Sequence, residues 1–201
     1  MAGNGSRARH RVIDIDRGSP TELVHRPLPT QSGRLTISAI RARMPSVSTP
    51  QHSRLINAAA KVVLRPLGCV QKGRSRTWLD DRVWWVGVVE FQPSSWAKGS
   101  YLNVGACWLW YEKDFLSFDA GYRVESFHPF TGNEAFELVA EKLAERASHE
   151  VTALRERFPS PSHVQSWIAA KPRTSIWDHY HLAVSAGLAG ATDQSKRSLL
   201  M

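Results

Sequence analysis

Val83-Trp84-Trp85-Val86-Gly87-Val88-Val89-Glu90-Phe91-Gln92 and Tyr101-Leu102-Asn103-Val104-Gly105-Ala106-Cys107-Trp108-Leu109-Trp110-Tyr111 are two apolar runs joined by a polar stretch that contains Pro93 and Gly99. Both runs are rich in Val, Trp and Tyr or Phe, which suit a pleated, half-buried surface. Alternation puts Val83, Trp85, Gly87, Val89 and Phe91 on one face of the first run. It puts Leu102, Val104, Ala106, Trp108 and Trp110 on one face of the second. The opposite face of the first run (Trp84, Val86, Val88, Glu90) is also largely apolar, which predicts a central strand covered on each side, or one covered on one side and paired with a partner on the other. Gly105 in mid-strand predicts a bulge or a close backbone approach.

Working outward, Thr77-Trp78-Leu79 reads as a short strand and Asp80-Asp81 as a turn. Before them, Thr49-Pro50 opens a helix over 51–65, with Leu55, Ala59, Val62 and Val63 as its apolar face, and Pro66 and Gly68 stop it. After the second run, 115–118 and 122–127 predict one or two further strands, with a turn at Asp119-Ala120-Gly121. Thr131 and Glu134 have capping-box spacing ahead of a long helix. Its stripe is Phe136, Val139, Leu143, Ala147, Val151 and Leu154, and Pro159 and Pro161 end it. Shorter helices follow at 163–170 and 175–188, and 189–201 reads as a ragged tail. The order implies an α+β domain over 49–188, an N-terminal helix and a three- to four-stranded, mostly antiparallel sheet carrying the long helix and short C-terminal helices.

Part of this stretch carries a family likeness. Gly68 is followed by Lys72-Gly73-Arg74 and by Thr77-Trp78, then by Val89-Glu90-Phe91-Gln92-Pro93-Ser94-Ser95 and by Tyr101-Leu102-Asn103-Val104-Gly105. In this order and spacing, residues from Leu55 to about Phe158 resemble bacterial proteins of the domain-of-unknown-function 4304 family. The resemblance implies an α+β domain in a bacterial protein. It supplies no reaction, substrate or catalytic set.

Charge and cysteine usage bound the function. The formal charge is +8, but residues 1–54 hold nine arginines against three acids, so 9 − 3 = +6 of it lies there. Residues 1–48 read as a basic, disordered segment, with short candidate strands at 12–16 and 35–40 and an alternative start at Met44. Cys69 and Cys107 do not make a disulfide framework and no Cys/His set has zinc-ligand spacing, so both read as reduced, buried thiols of a cytoplasmic protein. No apolar run is long enough to span a bilayer. No cofactor, metal or membrane contact is expected.

Three sets of residues carry candidate chemistry. Gln92, Ser94, Ser95, Asn103 and Lys98 group at one end of the two central strands, where they suit a ligand or partner. Lys72, Arg74 and Arg76 alternate, and in an extended segment they would face one way and grip phosphates. Trp177-Asp178-His179-Tyr180-His181 is the one histidine cluster, but positions two apart on a helix diverge, so no metal site is expected. Glu90, on an apolar strand face, reads as a paired or rim carboxylate. No Gly-x-Ser-x-Gly elbow or local His-Asp pairing activates a serine. The leading expectation is a protein-binding module without catalytic activity, using an aromatic patch. Nucleic-acid binding through the basic arm and Lys72/Arg74/Arg76 is the second, and a small-molecule binder or enzyme at Gln92-Ser95 and Asn103 the third.

Overall fold

In the computed structural model, residues 49–172 and 174–200 are described. The basic segment 1–48, with its two candidate strands, lies outside them. The chain runs α1 (Gln51–Leu64), β1 (Val70–Gln71), β2 (Thr77–Asp81), β3 (Trp85–Glu90), β4 (Gly99–Trp108), β5 (Ala120–Pro129), α2 (Asn133–Arg157), α3 (Pro161–Ala169), α4 (Ile176–Leu188) and α5 (Thr192–Leu199). The strands form one antiparallel meander in chain order, so β3 is central. This is the α+β class read from the pattern, with five strands rather than three or four.

The two runs that decide the fold are neighbours. Trp85 pairs with Trp108, Gly87 with Ala106 and Val89 with Val104. Their shared inner face packs under α2, whose buried stripe is Phe136, Ala140, Leu143, Ala144, Ala147, Val151 and Leu154. Trp85 and Trp108 are fully buried and meet Phe158 edge-on, with ring centroids 6.0 and 5.2 Å away. A buried aromatic removes about 150–250 Å² from water, or about 4–6 kcal/mol each before entropy is charged against it. The core therefore closes without disulfides, and both cysteines are free and buried.

Several local expectations are corrected. The buried stripe of α1 is His52, Ile56, Ala60 and Leu64, flanked by Leu55, Ala59 and Val63, while Val62 is exposed. Val62 sits two residues from both Ala60 and Leu64, on the far side of a 3.6-residue turn. The Thr131/Glu134 box does not form, because the helix starts one residue later, from Gly132, with no side-chain cap. The capping box is on α4, where Ser175 and Asp178 exchange hydrogen bonds with each other's backbone. Asp80 and Asp81 are the last residues of β2, not a turn. Asp80 is buried and takes two hydrogen bonds from Arg155 of α2, at 2.9 and 2.8 Å. Residues 115–118 are a loop. Residues 189–201, read as a tail, carry α5, which packs on α4. Alternation also put Val83 in the core, yet it is exposed with φ of 71°. The Asp81 carboxylate accepts its N–H at 2.9 Å and turns the chain early.

Gly105 does mark a close approach. It pairs directly with Gly121, and a Cβ at Gly105 would lie 2.6 Å from the Gly121 Cα. On the exposed side, β5 makes two register shifts against β4 between Ser100 and Asn103. Such bulges bend an edge strand away from flat pairing with another sheet.

Candidate functional site

The β1–β2 turn and the β3–β4 loop sit at one end of the sheet, because Thr77 at the start of β2 pairs with Glu90 at the end of β3. Arg76 joins them. It is buried, and its Nε donates to the Phe91 carbonyl at 2.7 Å. Its two terminal nitrogens each donate to the Gly99 carbonyl at 3.2 Å, and one also to Ser100 Oγ at 3.2 Å. One guanidinium thus holds both roots of the 92–98 loop. Burial pulls its pKa down from the ordinary guanidinium range to about 10, against the opposing pull of Glu90.

This corrects the expected cationic strip. Residues 72–75 turn instead of extending: Lys72 N–H donates to the Thr77 carbonyl and Ser75 N–H to the Lys72 carbonyl. Lys72 and Arg74 stay exposed while Arg76 points inward, so the three do not share a face.

The loop set divides as well. Asn103 Nδ2 donates to Glu90 Oε2 at 2.8 Å and to Gln92 Oε1 at 3.0 Å. Arg123 of β5 donates to Gln92 Oε1 at 2.8 Å and to Asn103 Oδ1 at 3.3 Å, and its guanidinium lies 4.1 Å from the Tyr101 ring centre. Gln92, Asn103, Glu90 and Arg123 therefore satisfy one another on the outer sheet face. Glu90 is paired, as expected, but through an amide. Ser94 Oγ accepts the Trp96 N–H and sets the turn, while Ser95 and Lys98 are exposed. At the loop tip Trp96 is 95 % exposed. The tryptophans as a class read as core; Trp96 differs because it rides on a Ser-, Lys- and Gly-rich loop rather than a strand, a signal present in the sequence.

A second surface lies where β4 runs out under α4. Trp84, Trp108 and Trp110 stack nearly parallel, with centroids 5.1–6.3 Å apart. Trp110 Nε1 donates to His181 Nδ1 at 3.0 Å, and Tyr180 OH donates to the Trp110 carbonyl at 3.2 Å. Above this base stand Tyr111 and Trp177, 4.8 Å apart, each edge-on to Tyr180, and Ile176, next to Trp177 in the chain, is exposed. The ridge joins residues some seventy positions apart, which no local pattern announces.

In the histidine cluster, Asp178 and His181 make structural hydrogen bonds. Asp178 caps α4, and His181 accepts from Trp110. Burial works against ionising Asp178, but hydrogen bonds from Thr174 and Ser175 outweigh it and hold the carboxyl below its usual value. Among the described residues no group of three or more His, Cys, Asp and Glu is placed to hold a metal, and no helix is long and apolar enough to cross a membrane.

One polar cluster was not foreseen. Asp119 binds buried Lys113 at 3.1 Å and accepts Ser117 Oγ at 2.7 Å and the Trp108 N–H at 2.7 Å; Ser117 Oγ lies 3.5 Å from Cys107. It clamps the 109–119 loop to the end of β4. No protein family, no curated protein and no solved structure matches the chain.

Proposed function

We propose that this chain is a cytoplasmic protein-interaction module that docks a partner segment bearing apolar side chains on the ridge of Tyr111, Ile176 and Trp177. The supporting observation is an exposed ring cluster fixed from below by the Tyr180–Trp110 and Trp110–His181 hydrogen bonds. Rings already held in place lose little entropy on binding, and aromatic anchors of this kind dominate interface energies. Three adjacent apolar side chains left to water on a well-packed domain favour an interface over chance exposure. On sequence order alone we also propose kinship with the 4304 family, which adds no reaction to this reading.

The test is affinity capture from the native host with the wild-type chain and with Trp177→Ala, followed by calorimetry on the purified partner. A hot-spot side chain is worth about 2 kcal/mol or more, so W177A should weaken the complex about 30-fold or more. A partner bound equally well by W177A and Y111A refutes the ridge as its dock.

A further inference from the structure

We propose that the Trp96 end of the sheet binds single-stranded nucleic acid, with the indole stacking on a base and Lys72, Arg74 and Lys98 meeting the flanking phosphates. This is independent of the ridge at Tyr111 and Trp177.

Three observations carry it. Trp96 is almost fully in water, yet its loop is not loosely attached: Arg76 grips both roots, Ser94 turns the tip and the Lys98 carbonyl accepts the Phe130 N–H at 2.9 Å. An indole presented on a fixed loop is a stacking platform, and every base has a face to offer it. The exposed cations at this end come from two connections brought side by side by the Thr77–Glu90 pairing: Lys72 and Arg74 from one, Lys98 from the other. Glu90, the carboxylate at this end of β3, is engaged by Asn103. Finally, the chain enters the domain here. His52 in the first turn of α1 lies 5.8 Å from Phe130, and the preceding residues 1–48 carry eight arginines against three acids, 8 − 3 = +5. The sequence that leads into this end is thus itself cationic, as are Lys72, Arg74 and Lys98 on the domain, which suits a polyanion.

A strand fits better than a duplex or a bilayer. The bases of a duplex hide the faces that an indole needs. A membrane wedge would want further large apolar residues, whereas the neighbours of Trp96 are Pro93, Ser94, Ser95, Ala97 and Lys98.

The experiment is fluorescence anisotropy of a labelled oligothymidylate of about twenty nucleotides, long enough for a site of this kind, against the full-length chain over a salt series. Trp96→Ala should weaken binding about 5- to 150-fold, the range for one base–aromatic stack, and Trp96→Phe should keep most of the affinity. Lys98→Ala should lower the slope of log affinity against log salt by about 0.7. These exposed substitutions should leave the thermal melt unchanged. The proposal is overturned if W96A binds like wild type, so that the arginine-rich segment alone holds the strand. It is equally overturned if a duplex of the same length binds as tightly, if anionic phosphatidylserine vesicles bind and the oligonucleotide does not, or if nothing binds at low salt.

Discussion

Replacing Arg76 with methionine separates two opposed effects of a buried cation that donates to neutral oxygens, the Phe91 and Gly99 carbonyls and Ser100 Oγ. On one side, burial lowers its pKa from the ordinary guanidinium range to about 10, even against the pull of Glu90. At about 1.4 kcal/mol per tenfold, this marks a desolvation cost of about 3 kcal/mol, which the methionine would not carry. On the other side, the buried Phe91 and Gly99 carbonyls and Ser100 Oγ would lose their donor. Each stranded acceptor costs about 1–3 kcal/mol, or about 3–9 for the three. The acceptors win, and R76M should lose about 3 kcal/mol. For a chain of this size that lowers Tm by about 6–12 °C. Arg76→Lys should fall nearly as far, because one ammonium cannot span both loop roots as the guanidinium fork does. Urea melts of the three proteins, with limited proteolysis of the 92–98 loop, would read both the global and the local loss. A methionine variant as stable as wild type, or more so, would refute the reasoning: the guanidinium would then be a net burden that the fold merely tolerates.

Three further outcomes follow from the geometry. Gly105→Ala should cost about 3 kcal/mol or more in chemical denaturation, because the new Cβ meets the backbone of Gly121 and Ala120 at 2.6 and 2.8 Å and the strands must part. Val83→Gly should raise Tm by about 2 °C: releasing a β-branched residue from φ of 71° returns about 1–2 kcal/mol, less about 0.5–1 for glycine entropy. His52 is held below its ordinary pKa of 6.5, first by burial and then by the charges of Arg76 and Lys98. The unfolded chain therefore takes up this proton first, so stability is lost as pH falls below 6.5 and levels off beneath the folded pKa. The stability gap between wild type and His52→Phe, measured by denaturation from about pH 7.5 to about pH 5, should shift in favour of the variant as acid is added.

The architecture was legible where burial enforces a period. Trp85, Val89, Val104 and Trp108 alternate because one sheet face is dry, and Phe136 to Leu154 recur because one side of α2 covers it. Ends are less legible, since a single side-chain hydrogen bond decides them: the Val83 N–H donated to the Asp81 carboxylate turns the chain and delays the start of β3 to Trp85, and the Ser175–Asp178 exchange puts the box on another helix. The site was half legible. Gln92 and Asn103 do meet by a hydrogen bond, but their partner Arg123 comes from β5 through pairing register, which no local window contains. Arg76 was misread because alternation assumes an extended chain, and Gly73, at φ of 57°, turns it.

The stacked rings of Trp84, Trp108 and Trp110 lie close enough and parallel enough for their electronic transitions to mix. The folded protein should therefore carry an exciton-coupled far-ultraviolet band that changes when any one of the three is replaced, while the remaining pair still couples. Trp96 stands apart from that group and in water, so its emission lies at the red edge of the spectrum. One molecule thus holds two separable optical signals, one reporting the closed sheet and the other whatever approaches the loop.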